Sequence, residues 1–189
     1  CVKRVIYQDP ISKNICKGVC SNYICDSKPG DPIQLTGPIG QAFLLPEEPN
    51  ANFIFIATGT GIAPFRAFWR NLFLEERPGG KFMGNIYLFF GVPYSNGLLY
   101  HEEIENLKKT YKNFQAKYAI SREEKNKNGS KKYVHHLLQE NMNEIYDLLH
   151  SPKTHVYLCG LKGMEEGVQS VFKEAAEIRQ QNWDVLIHK

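Results

Sequence analysis

Apolar positions follow two different rhythms along this chain. From about residue 50 onward, short apolar runs alternate with stretches of helical period. Residues 53–57 are a near-continuous run rich in β-branched and aromatic side chains, as a strand buried on both faces is; 85–91 reads as a second buried strand, and 114–120 and 154–159 as a third and a fourth strand. Between and after them apolar residues recur at helical spacing, as in Phe65, Phe68, Trp69 and Phe73. That spacing predicts helices over 64–74, 101–110, 134–150 (in two pieces) and 164–177. The alternation implies an α/β fold, a parallel sheet covered by helices. Residues 183–187 read as the start of another strand or helix, and as a strand they bring that sheet to five. Residues 1–48 read differently. A mixed-face run at 1–7, a turn-rich loop at 9–14, the turn Lys28-Pro29-Gly30 and the alternating Ile33-Gln34-Leu35-Thr36 predict antiparallel β-structure. It is too little to close a core alone. Glu47-Glu48-Pro49-Asn50 reads as a linker, giving units at 1–48 and 49–189.

Composition narrows the function classes. The chain has 189 residues, 42% hydrophobic and 23% charged, with a net charge of +3. That fits a globular protein and gives nucleic-acid binding little support. No apolar run approaches the ~20 residues of a membrane-spanning helix. The chain opens on Cys1 rather than Met and reads as a processed or excised fragment. Its five cysteines are Cys1, Cys16, Cys20, Cys25 and Cys159, an odd count that argues against a disulfide scaffold. The spacing of Cys16, Cys20 and Cys25 matches neither a plant-type iron–sulfur pattern nor a zinc pair. No metal site is expected, and Cys16 and Cys25 read as small buried thiols.

Candidate chemistry gathers at the strand ends, since ligands of an open parallel sheet bind beyond the carboxyl ends of its strands. Those ends are Thr58-Gly59-Thr60-Gly61, Gly91-Val92-Pro93, Ser121-Arg122 and Cys159-Gly160-Leu161. The first joins a strand to a helix with Pro64 in its first turn, which is how backbone N–H groups and a helix N-terminus meet a phosphate. Its G-x-G-x-x-P pattern taken alone is equally that of an ordinary strand-to-helix turn. Ser121 and Arg122 suit a phosphate, by a hydroxyl and a bidentate fork. Lys131 adds charge, although Lys131 and Lys132 also read as a solvated charge run. Tyr133 offers a ring to stack on adenine. A basic site of this kind favours NADP over NAD.

Taken together, these residues resemble the plant-type ferredoxin–NADP⁺ reductase family, its plastid branch in particular. The resemblance is carried by Cys1-Val2-Lys3-Arg4, by residues 18–26 (Gly-Val-Cys-Ser-Asn-Tyr-Ile-Cys-Asp), by Lys28-Pro29-Gly30 and Thr36-Gly37-Pro38, and by residues 58–66 (Thr-Gly-Thr-Gly-Ile-Ala-Pro-Phe-Arg). Gly91-Val92-Pro93, Ser121-Arg122 and residues 159–165 (Cys-Gly-Leu-Lys-Gly-Met-Glu) extend it in register to about Ala176.

The resemblance implies a two-domain enzyme. An antiparallel β-barrel, whose C-terminal part is 1–48, would hold FAD, and the five-stranded sheet would hold NADP(H). Cys1, Val2 and Lys3 would contact FAD, Tyr7 would stack against its adenine end, and Gly18, Val19, Cys20 and Ser21 would form the flavin-binding turn. Thr60 would touch both cofactors, while Val92 and Pro93 would face the adenosine half of NADP. Ser121, Arg122, Lys131 and Tyr133 would hold its 2′-phosphate and adenine, and Gly160 and Leu161 would line the pyrophosphate path. His135 stands where a glutamine or similar residue is expected. It reads either as a 2′-phosphate ligand that makes affinity pH-dependent or as an exposed helix histidine. Cys159, the candidate catalytic residue, would shape the meeting point of nicotinamide and flavin rather than act as a nucleophile.

The family's earlier barrel strands with their Arg-x-Tyr-Ser motif, and its terminal Val-Glu-x-Tyr, do not occur in the sequence. The implied reaction moves electrons between NADP(H) and an acidic 2Fe–2S ferredoxin, with Lys3, Arg4, Lys13 and Lys17 as a basic docking face. A flavin reductase serving flavodoxin or a haem protein is one alternative, and a non-catalytic nucleotide-binding fragment is another. The implied compartment is a plastid, and the Lys/Asn-rich loop at 125–132 fits the A/T-rich genome of a relic one.

Overall fold

The structure, a computed structural model, describes residues 1–37, 39–40, 43–76 and 80–183. Two compact units divide at Leu44/Leu45, a few residues before the boundary read from the sequence.

In the first unit β1 (Ile6–Gln8) pairs antiparallel with β2 (Ile15–Lys17), placing Tyr7 opposite Cys16. The intervening loop turns on Asp9, whose carboxylate accepts the N–H groups of Ile11 and Ser12. A helix follows, α1 (Val19–Asp26), and it corrects the all-β reading of this unit. Its cause is polar. Buried Asn22 donates to the carbonyls of Val5 and Gly18 and accepts from Arg4 Nη1. Ser21 Oγ accepts the Val5 N–H, and Arg4 reaches Asp26 at 2.7 Å. The Val5 carbonyl also accepts the Gly18 N–H at 2.9 Å, so side chains of the helix complete what the end of the β1–β2 pairing leaves open at Val5. Residues 33–36 alternate as a strand does, yet they are exposed and join no ladder among the described residues; alternation without a partner backbone makes no strand.

The second unit is the predicted parallel sheet. Its strands β3 (Asn52–Thr58), β4 (Ile86–Val92), β5 (Phe114–Ile120) and β6 (Thr154–Cys159) lie in the order β5-β4-β3-β6, all parallel. These are four strands rather than five among the described residues; of the stretch 183–187, all but Trp183 lies outside them. From β3 the chain steps outward through α2 (Ala63–Phe73) and α3 (His101–Thr110), then crosses back through α4 (Val134–Glu140) and α5 (Met142–Ile145) to place β6 against the other side of β3. α6 (Lys162–Ile178) follows. Because crossovers keep one hand, reversing direction moves the helices to the opposite face. Alternate residues of β3 record this. Phe53, Phe55 and Ala57 pack with Phe65, Trp69, Ile104 and Leu107, whereas Ile54 and Ile56 pack with Val134, Leu138, Val168 and Phe172. Residues 53–57 are fully buried, as a central strand's continuous apolar run requires.

One polar clamp fixes α2 against α3. Glu103 accepts from Arg66 Nε at 2.9 Å and from Trp69 Nε1 at 2.8 Å, and the Arg66 guanidinium lies 4.6 Å above the Tyr100 ring. Burial pushes the Glu103 carboxyl up, but the bonds from Arg66 and Trp69 outweigh it and hold the group below its ordinary value. Arg66, the cation nearest the glycine turn in sequence, is therefore engaged in packing. Among the described residues no helix is long and apolar enough to cross a membrane.

Candidate nucleotide site

The strand order reverses between β3 and β6, and in open α/β sheets the ligand crevice lies at the carboxyl ends beside that reversal. Thr58-Gly59-Thr60-Gly61 leaves β3 there and Cys159-Gly160-Leu161 leaves β6. The two turns touch backbone to backbone. A Cβ on Gly61 would meet the Cys159 carbonyl oxygen at 2.1 Å, and one on Gly160 would meet Thr58 Oγ1 at 2.0 Å. That Thr58 hydroxyl accepts the Leu161 N–H at 3.0 Å. Gly59–Ile62 forms a 3-10 turn that runs straight into α2, so Pro64 falls second in the α-helix rather than first. The feature is still a helix N-terminus opening on the crevice, with Leu161 exposed at its edge. Burial pushes the Cys159 thiol above its ordinary value.

The other side of the rim is built from β4 and β5. Ser121 N–H donates to the Val92 carbonyl and Arg122 N–H to the Pro93 carbonyl, each at 2.9 Å. Val92 itself is buried in the core, so its backbone, not its side chain, reaches this rim. Beyond Arg122 the chain makes a hairpin, closed by a Lys125–Lys131 bridge and by Lys132 N–H to the Glu124 carbonyl. The hairpin returns Lys131 and Tyr133 to the Ser121-Arg122 end. Gly91 permits the start of α4 to pack close, because a Cβ there would lie 3.2 Å from Val134 Cβ.

Charge at this rim divides into paired and unpaired groups. Lys132 bonds Glu140 at 2.8 Å, Glu123 accepts from Ser95, and Glu124 accepts the Ile120 N–H. The side chains of Ser121, Arg122 and Lys131 make no hydrogen bond or ion pair with the described residues. This separates Lys131 from Lys132, which as a charge run read alike. Tyr133 is half exposed, its ring stacked near His135 and His136. His135 is not a free surface histidine. Its ring lies over α6, where a Cβ on Gly167 would meet Nδ1 at 2.8 Å.

Both histidines ionise below the ordinary value, His135 through burial and the neighbouring His136, and His136 through burial first. The unfolded chain therefore takes up protons near pH ~6.5 before the folded one does. The stability involved is complete above that pH and is lost as pH falls through the lower folded values. Thermal unfolding followed from pH 7.5 to pH 5 is expected to show a falling midpoint, with a shallower fall in His135→Gln. An identical slope in that variant would place the titration elsewhere.

Every residue assigned to NADP by resemblance, Thr60, Val92, Pro93, Ser121, Arg122, Lys131, Tyr133, His135, Gly160 and Leu161, together with Cys159, belongs to the second unit. Apart from Thr60, assigned to both cofactors, those assigned to FAD belong to the first. Cys1, Val2 and Lys3 form an exposed extended segment, Tyr7 lies on β1, and Gly18 precedes α1 with Val19, Cys20 and Ser21 as its first turn. The expected flavin-binding turn is thus a helix start. Arg4, read as part of a docking face, is tied to Asp26 and Asn22. Sequence reasoning missed Ser95 and Glu123, and placed Thr58 in the turn without its bond to Leu161. Their bonds join segments distant along the chain and leave no local pattern.

Comparison with known proteins agrees with this geometry. Residues 55–170 match the family model described as the oxidoreductase NAD-binding domain. The cyanelle ferredoxin–NADP reductase of Cyanophora paradoxa is 46% identical over 187 residues, 98% of this chain and 51% of that protein. The chloroplastic embryo isozyme of Oryza sativa subsp. japonica is 49% identical over 189 residues, 97% of this chain and 50% of its own length. This chain therefore spans about half the length of the curated relatives it matches. The structure of ferredoxin–NADP⁺ reductase from Plasmodium falciparum with 2′P-AMP superposes with a TM-score of 0.73 at 32% identity, covering 89% of this chain and 65% of that one. The chain belongs to the oxidoreductase NAD-binding domain family, and the curated relatives it matches are named ferredoxin–NADP reductases.

Proposed function

We propose that this chain is the NADP(H)-binding unit of a ferredoxin–NADP reductase, with the adjoining part of its FAD-binding unit, and that the whole protein moves electrons between NADP(H) and ferredoxin. The observation that carries the reading is that the side chains of Ser121, Arg122 and Lys131, at the carboxyl-end rim of the sheet that also carries the glycine-built β3 and β6 turns, have no partner among the described residues. A phosphate monoester dianion satisfies all three at once, and plain NAD has none to offer there. Tyr133 presents its ring for the adenine, and the 3-10 turn at Gly59–Ile62 presents N–H groups to the pyrophosphate. His135 at this rim would gain a proton as a dianion binds, so affinity would rise as pH falls toward 6.

Residues of the first unit suit the flavin. The first turn of α1 has N–H groups without helical partners, and Lys3 is exposed beside them in sequence. FAD, when bound, supplies the exchange between two-electron nicotinamide chemistry and one-electron iron–sulfur chemistry. The protein's work is orientation and exclusion of water: the Gly61–Gly160 contact forms a floor without side chains, and the protonated Cys159 thiol closes the end of β6. Lys3, Lys13 and Lys17 are exposed cations suited to an acidic partner. A plastid is the compartment in keeping with relatives named chloroplastic and cyanelle.

The test uses the full-length protein. Bound-flavin absorbance and NADPH-dependent reduction of a 2Fe–2S ferredoxin are expected together. Flavin reduction by NADPH with electrons passing to flavodoxin or haem but not to ferredoxin would overturn the partner, and absence of flavin would overturn the enzyme.

A further inference from the structure

We propose that Glu123 is a positioning residue: it clasps the turn after β4 to the turn after β5 and so sets the phosphate-binding posture of Arg122. The proposal rests on the NADP(H) reading above. Glu123 Oε1 accepts both the Ser95 N–H, at 2.9 Å, and the Ser95 hydroxyl, at 3.1 Å. Ser95 begins the 3-10 turn Ser95–Gly97, and Glu123 directly follows Arg122.

Backbone bonds between the two turns run from Val92 and Pro93 to Ser121 and Arg122. Past Pro93, the Glu123 carboxylate continues the tie. Exposed Tyr94 lies between the last backbone bond and the clasp, so both ends of that residue are held. Arg122 is held likewise, by its own N–H to Pro93 on one side and by the anchored Glu123 on the other.

A carboxylate next to the arginine of a phosphate site invites a simpler reading, in which it merely repels the anion. The two readings predict opposite signs. Repulsion between exposed charges is screened over about 8–10 Å at ordinary salt, and removing its source would tighten binding. Removing a clasp loosens the arginine and weakens binding. The double bond to Ser95 favours the clasp, because it directs the carboxylate oxygen at two donors on the opposite turn.

The test measures 2′-phospho-AMP and 5′-AMP binding by calorimetry to the full-length protein and to Glu123→Ala and Glu123→Gln. Glu123→Ala is expected to weaken 2′-phospho-AMP about five- to twenty-fold, as loss of a charge-assisted bonding pair does, with little change for 5′-AMP and an unfolding midpoint near that of the parent. Glu123→Gln keeps an acceptor for the Ser95 N–H and is expected to restore most of the affinity. Unchanged or tighter binding by Glu123→Ala, or equal weakening by both variants, would overturn the proposal. Amide exchange at Ser95 needs no ligand and is expected to quicken in Glu123→Ala alone. Unchanged exchange defeats the clasp, whereas a parent protein with no preference for 2′-phospho-AMP over 5′-AMP defeats the NADP(H) reading and the phosphate role with it.

Discussion

Gly61→Ala is expected to lower the unfolding midpoint by roughly 10 °C, the shift for a loss of about 3–5 kcal/mol in a chain of this size, and to abolish nucleotide binding with it. The new methyl would stand 2.1 Å from the Cys159 carbonyl oxygen, 2.5 Å from its carbon and 2.8 Å from the Gly160 nitrogen. All three are backbone atoms, so no rotamer change relieves the clash. Ala57 and Cys159 are register partners just before these turns. Relief therefore requires β3 and β6 to part at their carboxyl ends, which also breaks the Leu161–Thr58 bond. Gly59→Ala is the informative control. Gly59 has φ +55° with nothing within 4 Å of an added Cβ, so its substitution meets only left-handed backbone strain of ~1–2 kcal/mol. A melt of Gly61→Ala within a few degrees of the parent, or no gap between the two variants, would show that the β3 and β6 turns do not make this close approach.

Those two glycines look alike in the sequence, and their difference shows where legibility stops. The run at 53–57 announced a buried central strand because its apolar content is continuous, and a parallel sheet demands that locally. The carboxyl ends of the strands followed from topology, so Ser121, Arg122 and Cys159 were found as rim residues. Interactions between segments far apart in sequence leave no such local mark. Resemblance alone singled out Lys131 from Lys132, and the pairing of Lys132 with Glu140 supplies a physical difference between them. Val92 reads as a ligand contact by position, yet its side chain faces the core. In the first unit, residues 19–26 carry no strong helical stripe. The helix there is held by Asn22 and Ser21 bonding the backbone of Val5, a polar determinant that hydrophobic patterning does not register.

Arg122→Ala is expected to weaken NADPH roughly ten- to a hundred-fold while leaving NADH nearly unchanged, because hydrogen bonds to a charged group contribute about 1.5–3 kcal/mol. The guanidinium has no partner among the described residues, so its removal leaves no orphaned carboxylate and should hardly move the unfolding midpoint. Its backbone N–H, bonded to the Pro93 carbonyl, is kept by alanine, so the rim retains its shape. The loss then belongs to the phosphate alone. Arg122→Lys should fall between the two, since it keeps the charge and loses the planar fork. Raising the salt should narrow the gap between parent and variant, because an exposed cation and a dianion attract through screened solvent. Steady-state KM values for NADPH and NADH on the full-length protein decide the matter. Equal losses for both nucleotides would mean that Arg122 steadies the common part of the dinucleotide, and the extra phosphate would have to be sought elsewhere on the rim.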